Sequence, residues 1–275
     1  MPGAYFHFGQ SHVHYSCWGT GEQLLLCFHG YGESAASFQF LAEALGGRFT
    51  ILAIDLPFHG ETQWRDGLYL DPADLLSILQ QIVSGLPCGS SADWWLLGYS
   101  MGGRVALQLL ELAPEKVRRL VLLATDGLQM NPWYWLATQT GPGNRLFRWT
   151  MKKPAWLFFL LRTGHVLRLV NPSIYKFTAH YVDDQRVREN LYARWTTMRG
   201  FRPDLDKVGA LIRRHRIPVE LLYGSYDRII RWERGERFRR RNIPFCNLVL
   251  LSAGHQLLQA RFLEVIVKAL YLPII

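Results

Sequence analysis

The chain has 275 residues, 49% hydrophobic and 19% charged, with a formal net charge of +9. This composition is globular rather than disordered, and the length suits one generous α/β domain with an insertion. No apolar run approaches the roughly 18 residues that a membrane-spanning helix needs. The four cysteines (Cys17, Cys27, Cys88, Cys246) lie far apart, without Cys-x-x-Cys spacing. Cys27 lies within an apolar run, where a reduced thiol is expected, and Met1 to Phe8 carry neither a basic leader nor a long apolar stretch. Both set the expectation of a cytoplasmic protein.

Strand and helix patterns alternate along the chain, as a doubly wound, mostly parallel sheet requires. A hairpin is predicted at residues 4–8 and 12–18, followed by a buried strand, Leu24-Leu25-Leu26-Cys27-Phe28, that leads into the loop His29-Gly30-Tyr31-Gly32. A helix over 34–45 and a strand over 49–54 come next, the strand running into Asp55-Leu56-Pro57-Phe58-His59-Gly60. Asp71-Pro72 is a helix-start signal for 72–84. The apolar run Trp94-Trp95-Leu96-Leu97 enters Gly98-Tyr99-Ser100-Met101-Gly102, and the helical pattern after it ends at Pro114. A strand over 118–124 precedes Asp126. Beyond a long insertion come a strand over 217–223, a basic helix near 230–241, a strand over 246–251 and a closing helix from Gln256 to Leu270.

Gly-x-Ser-x-Gly between a strand and a helix is the setting of a nucleophile elbow. The turn is tight enough that side chains two before and two after the serine would collide, so both positions are Gly. Backbone strain there lifts Ser100 Oγ above the sheet edge, and the following helix points its positive end at the same place. A serine hydroxyl needs a base, and the base an acid behind it. Of nine histidines, His255 follows the strand Leu248 to Leu251 on a small-residue loop, from which it can reach over Ser100. Asp227 stands in the turn after the strand that begins at Val219. Asp126, after the strand Leu120 to Ala124, is the rival acid. The order Ser100, Asp227, His255 differs from the chymotrypsin and subtilisin orders. The glycine-flanked loop after Phe28 supplies one oxyanion donor, so the two expected donors are the amides of Tyr31 and Met101. His29 and His59 are expected to hold their loops by hydrogen bonds.

Together the His-Gly loop, the Asp-x-x-x-His-Gly loop, the Gly-x-Ser-x-Gly-Gly elbow, the late Asp and the Gly-His resemble the α/β-hydrolase superfamily. The resemblance covers the chain outside about 129–203. It implies a core of residues 1–128 and 204–275, with a helical cap over 129–203 inserted after the sixth strand. It also implies a serine hydrolase that works on a carboxylic ester or related acyl bond through a Ser-His-Asp triad. The segment from Gly98 to Leu107, with Asp55 to Gly60, also looks like the menaquinone-pathway lyase family. Tyr99, Ser100, Arg104, Asp227 and His255 match that pattern. In that family the triad is a base for pyruvate elimination and arginines hold an anionic substrate, so Tyr99 and Arg104 become candidate substrate-binding residues. A non-catalytic member binding a small ligand or partner is a third reading, against which the intact triad argues.

The insertion 129–203 carries twelve Lys and Arg against three Asp and Glu, so it holds the whole net charge, and it has fourteen aromatic residues. Pro132, Pro154, Pro172 and Pro203 divide its helices. Three uses are open: a lid packing on the core with a solvated basic outside, an apolar acyl pocket with arginines reaching an anionic group, and a membrane-facing surface. The expected partner is a small molecule with an apolar part. No nucleic-acid module is recognisable, and the basic cluster from Arg231 to Arg241 reads as a solvated helix face. No metal-ligand spacing appears and no cofactor is implied. Oligomeric state is left open.

Overall fold

The computed structural model describes residues 3–89, 93–166 and 184–271. Eight strands form one sheet: β1 (Ala4–Phe8), β2 (Ser11–Trp18), β3 (Gln23–Phe28), β4 (Phe49–Ile54), β5 (Trp94–Tyr99), β6 (Val117–Leu123), β7 (Val219–Gly224) and β8 (Cys246–Leu251). Their spatial order is β1-β2-β4-β3-β5-β6-β7-β8. The β1–β2 hairpin pairs antiparallel and β2 lies antiparallel to β4, while every other neighbour is parallel. Parallel strands need crossovers that cover both faces of the sheet, which is why the central strands read as unbroken apolar runs. β4 and β7 are buried at every position, and β3 at all but Gln23.

The helices, in chain order, are α1 (Ala42–Leu45), α2 (Pro72–Ser84), α3 (Met101–Leu112), α4 (Pro132–Gln139), α5 (Gly141–Lys152), α6 (Ala155–Val166), α7 (Gln185–Thr197), α8 (Leu205–His215), α9 (Glu233–Arg241) and α10 (Leu263–Tyr271). Most starts are chemically marked. Asp71 accepts from Ala73 N at 2.9 Å with Pro72 at the first helical position, and Asp204 accepts from Asp206 N and Lys207 N.

Two segments differ from the sequence reading. The helix expected over 34–45 is a 3₁₀ segment, Ala35–Leu41, followed by the single turn α1. Its first amide is captured by a distant side chain, Ala35 N donating to Asp55 Oδ1 at 2.6 Å, and Ser37 N closes on Ser34 O. Periodicity alone does not separate three from 3.6 residues per turn. The closing helix begins at Leu263 after a short 3₁₀ turn, not at Gln256. Leu257 N bonds to His255 O and Gln259 N to Leu257 O, two three-residue turns that bury Leu257 and Leu258 without a helix.

By contacts the chain divides into two compact units. The first is Met1–Asp66, Leu70–Gln129 and Gly200–Ile275; the second is Gly67–Tyr69 and Met130–Arg199. The small piece Gly67–Tyr69 belongs with the second because Arg199 donates to Leu68 O at 2.8 Å and lies 5.0 Å over the Tyr69 ring. Beyond β6, the described residues of the second unit are mostly helical, α4 to α7 joined by short non-helical links. Its interior is aromatic: Trp195 packs on Tyr134 and Phe147, and Tyr192 donates to Asn144 Oδ1 at 3.0 Å. Pro172 of the sequence reading lies outside the described residues.

Candidate active site

Between β5 and α3 the chain turns at Ser100, whose φ is +50° and ψ −116°. A non-glycine residue there stores on the order of 1–3 kcal/mol, so the surroundings must over-determine it. Three hydrogen bonds do so: Ser100 N to Leu123 O at 2.9 Å, Asp126 N to Ser100 O at 2.9 Å and Gly103 N to Ser100 O at 3.0 Å. The flanking glycines are required, though not by each other's side chains as the sequence reading had it. A Cβ at Gly98 would stand 2.6 Å from Gly103 Cα, and one at Gly102 would run into the Phe28 carbonyl of β3. The second glycine therefore answers to the neighbouring strand.

His255 Nε2 lies 3.0 Å from Ser100 Oγ, and His255 Nδ1 lies 2.8 Å from Asp227 Oδ2. With Nδ1–H donating to the carboxylate, Nε2 is left to accept the serine proton. Asp227 is set by the turn after β7, where Ser225 N bonds to Leu251 O, Tyr226 N to Ala253 O and Asp227 N to Gly224 O. Its second oxygen accepts from Ile229 N at 2.8 Å and Ile230 N at 2.9 Å. Burial pushes the Asp227 carboxyl upward, but the His255 bond, the nearby imidazole charge and the two amides outweigh it and leave the group below its ordinary range.

Asp126 has other partners. Its Oδ1 accepts from Gly127 N at 2.8 Å, and its Oδ2 lies 3.7 Å from Arg104 Nε. Arg104 is buried on α3, so a carboxylate beside it offsets the cost of taking the guanidinium out of water. Tyr99 is also turned inward. It is 2% exposed, its ring lies 5.5 Å from that of His255, and its hydroxyl reaches Gln256 Oε1 at 3.2 Å and His255 O at 3.4 Å.

The loop after β3 packs on the elbow, since a Cβ at Gly30 would stand 2.8 Å from the Tyr99 ring and 3.3 Å from Ser100 Cβ. Tyr31 is the next residue, and Met101 opens α3, where the first amides have no partner within the helix. His29 Nδ1 donates to Gly30 O at 2.8 Å while its Nε2 accepts from Leu56 N at 3.0 Å, tying the two loops together. His59 Nδ1 donates to Pro57 O at 2.9 Å.

Three groups were not singled out in the sequence. Asp55 is a hub that accepts from Ala35 N, Glu61 N and the ring of His14, the last at 2.7 Å. Its place in the Asp-x-x-x-His-Gly segment was a usable signal, whereas His14 on β2 gave none. Gln256 holds the Tyr99 hydroxyl, and its position beside His255 was a weak pointer. Glu33 follows the His-Gly loop. Burial raises its carboxyl, opposed by a hydrogen bond from Ser37 and by the His255 charge. Its Oε2 is buried with no hydrogen bond among the described residues.

On the basic helix α9, Arg239 and Arg240 pair with Glu236, and Glu233 pairs with Arg231 just ahead of the helix. Arg234, Arg237 and Arg241 instead border a cavity of about 450 Å³ against α8 and Leu128, and no triad candidate lines it.

Residues 24–269 match the model of the alpha/beta hydrolase family, and the chain belongs to that family. It is 27% identical over 238 residues to the uncharacterized hydrolase YugF of Bacillus subtilis, covering 85% of this chain and 82% of that one. It is 31% identical over 114 residues to a pimeloyl-[acyl-carrier protein] methyl ester esterase of Salmonella newport, a match that spans 42% of this chain and 41% of the relative. Among solved structures, a thermophilic esterase from Thermogutta terrifontis aligns over 98% of this chain and 97% of its own, with a TM-score of 0.66 and 21% identity. At that identity the likeness is one of fold. The protein is therefore an enzyme of the hydrolase class, with relatives named as hydrolases and esterases.

Proposed function

We propose that the protein is a serine hydrolase that cleaves a carboxylic ester or related acyl bond through an acyl-enzyme. The observation that carries this reading is the bridge made by His255 between Ser100 Oγ and Asp227. Ser100 Oγ attacks the acyl carbon as His255 Nε2 takes its proton. The amides of Tyr31 and Met101 receive the negative charge on the carbonyl oxygen, and His255 returns the proton to the leaving alcohol. Water then attacks the acyl-Ser100 ester by the same proton route and frees the acid. Asp227 keeps His255 in the Nδ1–H tautomer and stabilises the imidazolium, without itself taking the proton.

The position of Arg104 favours a neutral ester over the pyruvate-eliminating alternative, because the guanidinium is buried beside Asp126. Tyr99 serves in this reading as a positioning residue for the His255 loop rather than as a contact to substrate. The methyl ester named in the Salmonella relative, which matches over 42% of this chain, is in keeping with an acyl ester.

A fluorophosphonate probe should label the parent one to one and leave Ser100→Ala unlabelled. Hydrolysis of p-nitrophenyl esters of graded chain length should fall by about 10³-fold or more in Ser100→Ala, with an unchanged circular dichroism spectrum. A folded parent that is not labelled would refute the proposal. So would pyruvate release by the parent that disappears in Arg104→Ala, which would assign the lyase chemistry.

A further inference from the structure

Helices α4 to α6 of the second unit have two apolar sides. One side closes the aromatic interior through Tyr134 and Phe147. The other is in water: Trp133 is 77% exposed, Leu146 51%, Trp149 48%, Phe159 69% and Leu160 53%. Leu146 and Trp149 are three residues apart on α5, and Trp156, Phe159 and Leu160 follow an i, i+3, i+4 pattern on α6, so each set shares a helix face. The Trp149 and Trp156 rings stack at 5.6 Å with 20° between planes, which joins the two faces into one ridge. Arg145, Arg148, Lys152, Lys153 and Arg162 stand exposed around it. From Met130 to Val166 the sequence has no Asp or Glu.

We infer that this ridge docks the protein on an anionic lipid surface. Large aromatic and aliphatic side chains exposed in a row are costly in water and settle at the boundary between headgroups and acyl chains, where indole rings are favoured. A surrounding set of cations with no acid among them adds attraction to negatively charged headgroups. The same charge argues against a second copy as occupant. A two-fold contact would set this patch against itself and so oppose five cations to five. No helix among the described residues is long and apolar enough to cross a membrane, so the contact would be peripheral. The inference does not depend on the chemistry proposed for Ser100.

The test is co-sedimentation of the full chain with vesicles of phosphatidylcholine alone or mixed with about one quarter phosphatidylglycerol. The parent should bind the anionic vesicles at least about tenfold more tightly, and less tightly at high salt. Phe159→Asp with Leu160→Asp should weaken that binding about tenfold or more while leaving the melting temperature in place. Independently, Arg148→Gln with Lys152→Gln and Lys153→Gln should remove the preference for anionic vesicles. Brominated lipids should quench tryptophan fluorescence of the parent, which checks the contact without any substitution. No binding of the parent to anionic vesicles would overturn the inference. So would undiminished binding by both variants, or a parent dimer in sedimentation velocity that the Asp substitutions dissolve.

Discussion

In the first unit every position of β3 and β4 except Gln23 is buried, whereas in the second unit Trp133, Trp149 and Phe159 stand in water. Charge divides the same way. The insertion holds the whole excess of +9, and the residues outside 129–203 balance, nineteen cations against nineteen anions. On the functions proposed above, the difference separates two tasks. Chemistry needs atoms fixed to a few tenths of an ångström, and the first unit achieves this with backbone hydrogen bonds at strand ends: Leu123 O on Ser100 N, Leu251 O on Ser225 N, Ala253 O on Tyr226 N. A surface that meets a deformable partner needs only composition and exposure, which is what α4 to α6 provide.

If the first unit works by such fixed geometry, a change of one atom there should cost far more than a change of many atoms in the second. The largest effect is expected for Asp227→Asn. It removes the acceptor that sets the His255 tautomer, and kcat for an ester should fall by about 10⁴-fold with KM little changed. The same variant tests a pH effect on stability. The Asp227 carboxyl is depressed in the folded protein, so its contribution is present above the unfolded value near pH 4 and is lost as pH falls through the lower folded value. Acid denaturation of Asp227→Asn should lack that component; an identical acid-unfolding profile for parent and variant would show that the carboxyl is not held low.

Arg104→Ala comes next. With Arg104 beside Asp126, its loss leaves a carboxylate that is one-third exposed, so stability should drop by about 1–3 kcal/mol, less than for a fully buried pair. Hydrolysis of a short neutral ester should stay within about tenfold of the parent, roughly 1.4 kcal/mol. A large loss in kcat/KM with stability unchanged would move Arg104 from scaffold to substrate binding.

These two side chains also show where the sequence was informative and where it was not. The elbow, the His255 loop and the turn at Asp227 were legible because each is a small-residue punctuation at the end of an apolar run, and local chemistry dictates it. β4, α2 and β8 begin and end where the apolar pattern does. Which carboxylate Arg104 meets was not legible, since its partner Asp126 comes from the next strand's loop and only the fold brings them together. The same holds for the hub at Asp55, which draws His14, Ala35 and Glu61 from three segments. The missing start of the closing helix has a similar cause. Leu257 and Leu258 look helical by pattern, but they are buried by turns that serve His255.

Tyr99→Phe should have a smaller effect. It deletes a hydroxyl that holds Gln256 Oε1 and His255 O at 3.2 and 3.4 Å, bonds at the long end of the range. The expected loss is about 0.5–1.5 kcal/mol of stability. Because the ring still packs on His255, kcat should fall only a few-fold while KM holds. A KM change without a kcat change would instead place Tyr99 against substrate.

The smallest effect is expected for the removal of a whole aromatic ring. Phe159→Ser deletes a whole ring from α6, yet that ring is 69% exposed and the helix face it shares is in water. Its loss should move stability by no more than about 0.5 kcal/mol, the range for surface substitutions away from special features. The paired control is Leu97→Ala on β5, a smaller deletion at a fully buried position, which should cost about 2–5 kcal/mol because it removes buried area and leaves a cavity. Chemical denaturation of both variants beside the parent measures the contrast. If Phe159→Ser cost as much as Leu97→Ala, the ring would be part of a packed interior. The exposed ridge would then lose its claim to be a surface kept for something outside the chain.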